Sequence, residues 1–178
     1  LYFIMFRGAY MLWGTFIACN IPVEYATRLI EHIKTQMGDL SECIAWHEPE
    51  YLHMTMHFLG WISSTKIEDI KNEIKYCVDI EIIPIVQSLG WNERDKYLVI
   101  AVKKDDHLIQ IHKTIKSRLK EKGISVKEQE FIPHISLGRI APESNINFND
   151  LDLKTIQGEK IKKVEISLYE SFSKSVLL

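Results

Sequence analysis

Long apolar runs are missing from this chain, and so are the motifs that announce a nucleotide cofactor. No stretch reaches the ~20 apolar residues that span a bilayer. The apolar start, 1–18, is broken by Arg7, Gly8 and Gly14. It lacks the basic leader and long apolar core of a secretory signal, so a cytoplasmic protein is expected. Cysteine is scarce. Cys19, Cys43 and Cys77 make no CxxC and no metal-like cluster, and 3 is an odd count for a disulfide framework. Free, buried thiols in a reducing compartment are the expectation. Neither sign of charge is in surplus, with 22 Lys and Arg against 24 Asp and Glu and a net charge of −2. A long duplex needs many phosphates neutralised, so bulk binding of that kind is excluded, whereas a short phosphate ligand is not. Neither a P-loop nor a dinucleotide glycine fingerprint is present.

What is present is an ordinary globular mixture of 178 residues, 46% hydrophobic. That is enough for one sizeable core, or for two small lobes sharing one. Periodicity predicts strands over 10–19, 42–46, 52–59, 80–89, 96–103, 131–140 and 160–171. It predicts amphipathic helices over 22–37, 65–78 and 106–122, with Gly38 and Gly123 as stops and Gly60 closing the strand 52–59. The polar stretch 141–153 reads as a long exposed loop. Residues 1–8 are expected to be leader or tag residues without functional weight, and 9–178 a single domain.

The order strand, helix, strand occurs twice, at 12–19, 22–37 and 52–59, and again at 96–103, 106–122 and 131–140. Gly38 and Gly123 are separated by nearly the same distance as His53 and His134, which points to two related lobes. Alternating strands and helices with antiparallel returns predict an α+β fold, with helices packed outside two antiparallel sheets.

The chemistry lies in a repeated motif. His53-Met54-Thr55-Met56 and His134-Ile135-Ser136-Leu137 share the pattern His, apolar, hydroxyl, apolar. Strand alternation puts each imidazole beside its hydroxyl on one face and the apolar pair on the other. A lone His-x-Thr in a strand is a weak signal. Two copies on equivalent strands make a candidate site. Displacement at a phosphodiester needs a base for the attacking oxygen and an acid for the leaving oxygen, on opposite sides of phosphorus. Histidine, with an ordinary pKa of about 6.5, serves either role near neutrality. The hydroxyls can donate to the non-bridging oxygens. No metal and no cofactor are required.

These residues resemble those of the 2H phosphoesterases, within them the LigT-like 2′-5′ RNA ligases and RNA 2′,3′-cyclic phosphodiesterases. The resembling segments are Phe16-Ile17-Ala18 with Ile21-Pro22, then 52–60 (LHMTMHFLG), 131–139 (FIPHISLGR) and 164–171, especially Leu168-Tyr169-Glu170-Ser171. The resemblance implies a bilobal, pseudo-two-fold α+β fold with the sheets lining a central cleft. It implies His53 and His134 as the acid–base pair, and Thr55 and Ser136 as phosphate ligands. Arg139 matches a basic position near the phosphate. Analogy favours His134 as base and His53 as acid. Ser136 replaces the more frequent threonine and keeps the hydroxyl. His57 stands where the group often has lysine. Alternation sets it on the face of His53 and Thr55, a candidate substrate contact or an exposed strand histidine.

The implied activity opens a 2′,3′-cyclic phosphate to a 2′-phosphate, with 2′-5′ joining as its reverse. The partner is an RNA end or small nucleotide, and a monomer without membrane association is expected. The same site fits a 2′-5′-linked or cyclic oligonucleotide messenger. A non-catalytic RNA-binding module is the reading from another class, and two intact histidines count against it. His32 and His112 read as surface positions on helices, His107 as a helix start and His47 as a loop residue. Lys103 with Lys104, and Lys160, Lys162 and Lys163, read as solvated clusters. Trp46, Trp61, Trp91 and Tyr97 read as packing residues rather than base platforms.

Overall fold

The computed structural model describes residues 12–75, 80–82, 89–91, 97–141, 144 and 161–171. Eight strands and three α-helices are described: β1 (Leu12–Asn20), α1 (Val23–Met37), β2 (Ile44–Trp46), β3 (His53–Ser63), α2 (Ser64–Ile74), β4 (Ile80–Ile82), β5 (Leu89–Trp91), β6 (Tyr97–Ala101), α3 (Asp106–Glu121), β7 (His134–Ile140) and β8 (Ile161–Ser171). Short 3-10 turns, Gly38–Cys43 and Pro49–Tyr51, flank β2.

The helices form where local signals agree. Pro22 occupies the N-cap of α1, a position that needs no intrahelical N–H, and Glu24 and Lys34 match the helix dipole at its two ends. Gly38, at φ 55°, takes the left-handed turn that ends it. Asp105 caps α3 by accepting a hydrogen bond from the Leu108 amide at 2.9 Å. The apolar stripes Leu29, Ile30 and Ile33 of α1, Ile70 and Ile74 of α2, and Leu108, Ile115 and Leu119 of α3 are all buried. They join Ile17, Cys19, Met54, Met56, Ile100, Ile135 and Leu137 of the strands in one core cluster. Each such Leu, Ile or Met side chain contributes about 1.5–3 kcal/mol.

The strands run in the order β4-β8-β1-β3-β7-β6-β5, with β2 also paired to β7. Every pairing is antiparallel. Where two sheets were expected, the described strands form one path, and its halves join at a single pair, Met54 with Ile135. The second edge of β7 beyond that point is taken by β2, from Ile44–Ile140 to Trp46–Gly138.

Several element ends differ from the sequence reading. The strand expected to close at Gly60 continues to Ser63. Gly60 sits within it at φ 76°, and a Cβ there would lie 3.1 Å from the Lys127 side chain. The strand expected from 131 begins at His134. Pro133 has no N–H to donate, and the Ile132 carbonyl is turned to the His134 ring instead. Gly90 and Trp91, expected between the strands 80–89 and 96–103, pair with Val99 and Leu98 of β6. The readings for 1–8, 76–79, 83–88, 92–96 and most of 141–160 lie outside the described residues, and with them Cys77 and Lys160.

Candidate active site

The two motifs lie on adjacent antiparallel strands and meet at their middle residues, Met54 and Ile135. Continuing that register sets His53 across from Ser136 and Thr55 across from His134. An approximate two-fold through the Met54–Ile135 pair therefore exchanges the histidines and exchanges the hydroxyls. Met54 and Ile135 are fully buried, while Thr55 and Ser136 are half-buried on the other face.

Each motif is anchored in the same way. The carbonyl just before each histidine is bonded to a neighbouring segment, Leu52 by the Ile21 amide at 3.0 Å and Pro133 by the Val102 amide at 2.9 Å. The carbonyl two residues before each histidine faces its ring. His53 Nδ1 lies 2.8 Å from the Tyr51 oxygen, and His134 Nδ1 lies 2.8 Å from the Ile132 oxygen. A carbonyl oxygen only accepts, so both Nδ1 atoms carry the hydrogen. In the neutral rings Nε2 is then the basic nitrogen. Among the described residues neither the Thr55 nor the Ser136 hydroxyl is bonded to protein.

Each motif also carries one extra residue at the same place. Ala18 pairs with Thr55 and Ile17 with His57, which leaves Met56 without an opposite residue. Val99 pairs with Ser136 and Leu98 with Gly138, which leaves Leu137 likewise. A bulge of this kind reverses the alternation beyond it. In β7 it brings Arg139 back to the face of His134 and Ser136, where the guanidinium is exposed beside Tyr97 in the register.

In β3 the same reversal corrects the expectation for His57. That residue does not share the face of His53 and Thr55. It is 3% exposed, its Nε2–H donates to the His112 carbonyl at 2.9 Å, and its ring stacks on His112 at 4.0 Å. Phe58 takes the outer position instead, at 39% exposure. Burial, followed by the neighbouring His112, lowers the His57 pKa to about 4. His112, expected on the surface, is half-buried between His57 and Phe131, whose ring lies 4.1 Å away. Its pKa is lowered by burial and by Lys116 and Lys104.

Three residues of this face went unassigned in the sequence. Phe16 and Tyr169 stack at 5.0 Å, and both pack on the His53 ring at 5.1 Å. Asn20 pairs with His53 in the register and accepts a hydrogen bond from the Tyr169 hydroxyl at 2.6 Å. The available signal was parity, because Phe16 and Asn20 are an even number of residues apart on the strand after which the fold turns at Pro22. Burial lowers the His53 pKa, with a further lowering from His134 that the Tyr51 carbonyl opposes. His47 adds an imidazole near His53 and stacks on Tyr97 at 6.1 Å, and burial and His53 lower its pKa. Trp46 packs on the core and donates to the Ser41 carbonyl at 2.9 Å, whereas Trp61 is exposed.

No protein-family model matches the chain. Among curated proteins it is 28% identical over 171 residues to an RNA 2′,3′-cyclic phosphodiesterase of Methanocaldococcus jannaschii, covering 86% of this chain and 91% of that one. It is 26% identical over 140 residues to an RNA 2′,3′-cyclic phosphodiesterase of Thermotoga maritima, covering 71% and 69%. Among solved structures it superposes on E. coli LigT in complex with 3′-AMP with a TM-score of 0.66 at 19% identity, covering 92% and 91%. That likeness carries the fold.

Proposed function

We propose that this chain, which belongs to the LigT-like 2H phosphoesterases, is a metal-independent 2′,3′-cyclic phosphodiesterase that opens the ring to a 2′-phosphate by two-histidine acid–base catalysis. The observation that carries the reading is the equivalence of the two motifs. Each holds its imidazole by Nδ1 on a backbone carbonyl, leaving Nε2 for a proton, and each carries a hydroxyl two residues on. One imidazole takes a proton from water as the new P–O bond forms. The other gives its proton to the 3′ oxygen as the P–O3′ bond breaks. Thr55 and Ser136 donate to the non-bridging oxygens, and Arg139 adds a positive charge beside them. The 2′ ester stays intact, so the product is a 2′-phosphomonoester.

One observation favours an order of roles. Burial against Phe16 and Tyr169 favours neutral His53. This supports His53 as the base in hydrolysis, the reverse of the order drawn from analogy. The substrate class is an RNA end or a small nucleotide, and His57 is left out of its contacts.

The test is turnover, in excess chelator, of 2′,3′-cyclic mononucleotides and of RNA ending in a 2′,3′-cyclic phosphate. Cyclic dinucleotides and 2′-5′-linked dinucleotides serve as comparisons, and products are identified by phosphorus NMR. The expected product is the 2′-phosphate. His53→Ala and His134→Ala should each slow the chemical step by about 10²–10⁴-fold. A 3′-phosphate product, loss of activity in chelator, or near-normal turnover by either variant would overturn the reading.

A further inference from the structure

Equivalent as the two histidines are along the backbone, their surroundings differ. His134 is exposed, and among the described residues no aromatic ring stacks on it. His53 is half-buried, and one side of its ring is closed by Phe16 of β1 and Tyr169 of β8, each 5.1 Å away. Those two rings are stacked on each other at 5.0 Å and 9°. Phe16 and Tyr169 are register partners, so the stack is built across the β1–β8 pair.

The Tyr169 ring is held at its far end. The Tyr169 hydroxyl donates to Asn20 Oδ1 at 2.6 Å, and Asn20 Nδ2 donates to Ser167 Oγ at 2.9 Å. Asn20 is the register partner of His53 on one side and of Glu165 on the other. A chain of two hydrogen bonds thus ties β8 to the strand position facing the histidine. Burial, with a smaller contribution from Cys19, raises the Tyr169 pKa, which keeps the phenol a donor at neutral pH.

We propose that Tyr169 is a positioning residue for catalysis: fixed by Asn20 and Ser167, it closes with Phe16 one side of the His53 imidazole and holds Nε2 toward the phosphate. The Tyr51 carbonyl fixes one nitrogen, and the two rings remove the freedom to rotate about the side-chain bonds. Orientation of a reacting group contributes strongly to rate, and a small misplacement is costly. Removing water from one side of an imidazole also disfavours its charged form. The other groups near His53 are His134, which disfavours its protonation, His47, whose own protonation His53 disfavours, and Glu165, across from Asn20 in the register. The consequence for turnover rests on the phosphodiesterase reading, whereas the effect on the ring needs no substrate.

The experiment therefore follows the His53 and His134 ring signals by NMR titration of the full chain. It does so in wild type, Tyr169→Phe and Tyr169→Leu, with steady-state kinetics alongside. In Tyr169→Leu the His53 midpoint should rise by about half a pH unit or more as water reaches the ring, with the His134 midpoint moving less. Its kcat should fall about tenfold or more with KM changed less. Tyr169→Phe keeps the ring but loses its hydrogen bond to Asn20, so both changes should run in the same direction and be smaller. If Tyr169→Leu does not fold, Asn20→Ala releases the phenol and should raise the His53 midpoint in the same direction. An unmoved His53 midpoint would overturn the proposal. So would a change confined to KM, because Tyr169 would then be a substrate wall. Absence of turnover by wild type would instead overturn the phosphodiesterase reading and leave the titration as the test of Tyr169.

Discussion

At the scale of single residues, the proposed mechanism assigns proton transfer and charge stabilisation to different groups. His53 and His134 present Nε2, and Thr55 and Ser136 present hydroxyls from the same half-buried rows. Thr55→Val keeps the branched shape that suits a strand, and Ser136→Ala changes little volume. Each should cost about 2–4 kcal/mol of transition-state stabilisation, read from kcat/KM on a cyclic phosphate. The mechanism needs one imidazole neutral and the other protonated, so the pH dependence should be bell-shaped, and it should not move in these variants, since the imidazoles remain. A folded double variant with wild-type turnover would remove the hydroxyls from the mechanism. These four residues were legible in the sequence because alternation alone sets them on one face. The fate of His57 was not, since it depends on a residue without an opposite number in β1.

Between residue and fold, the placement of Arg139 is decided by its neighbours. Plain alternation would send a residue five beyond His134 to the opposite face. The extra residue Leu137 brings it back, and Gly138 makes this possible. A Cβ on Gly138 would lie 2.7 Å from the Ala45 carbonyl oxygen, 2.8 Å from Ile44 Cγ2 and 2.9 Å from Trp46 Cα. Two of those atoms are backbone, so β2 itself would have to move. Gly138→Ala should destabilise the protein by about 1–3 kcal/mol, measured by urea unfolding. It should also weaken binding of a 2′-phosphate product, measured by calorimetry, more than it alters the pH profile. Unchanged stability and product affinity would show that β2 yields without cost. The first and third helices were read to within a residue of their ends because caps and stripes are local, whereas α2 ends at Ile74, short of the expected 78. Strand ends and bulges were not, because they are properties of pairs of strands.

Taken as a whole molecule, the chain contains a test of its own packing in the His57–His112–Phe131 stack between β3 and α3. Burial lowers the pKa of His57 to about 4, and that of His112 is lowered too. Below its ordinary pKa of about 6.5 the unfolded chain binds a proton that folded His57 refuses. Stability from this group is therefore fully present above about pH 6.5 and is lost as pH falls toward about 4. The loss is up to about 3 kcal/mol. Urea unfolding from pH 7.5 to 4.5 should show this decline, and His57→Gln, which keeps a donor but does not titrate, should flatten it. Equal slopes in the two proteins would exclude His57 as the source. The α+β class and the internal repeat were visible in the order of elements and the spacing of Gly38, Gly123, His53 and His134. The single Met54–Ile135 joint was not, because nothing in either motif specifies that the two strands meet at their middle residues.

The paired bulges also have a meaning as a code. A strand spells inside and outside in alternating digits, and one inserted digit inverts the remainder of the word. Both motifs stutter three residues after the histidine, so both words agree up to the hydroxyl and both are inverted just after it, until a second extra residue, Leu59, turns the β3 word back. The first inverted outward digit is Phe58 in one word and Arg139 in the other. A symmetric pair of imidazole-and-hydroxyl letters is thereby followed by an asymmetric pair of endings, an aromatic ring and a guanidinium. The endings can diverge by ordinary substitution, each tuning its own wall of the site, while the shared beginning keeps the two imidazoles in register.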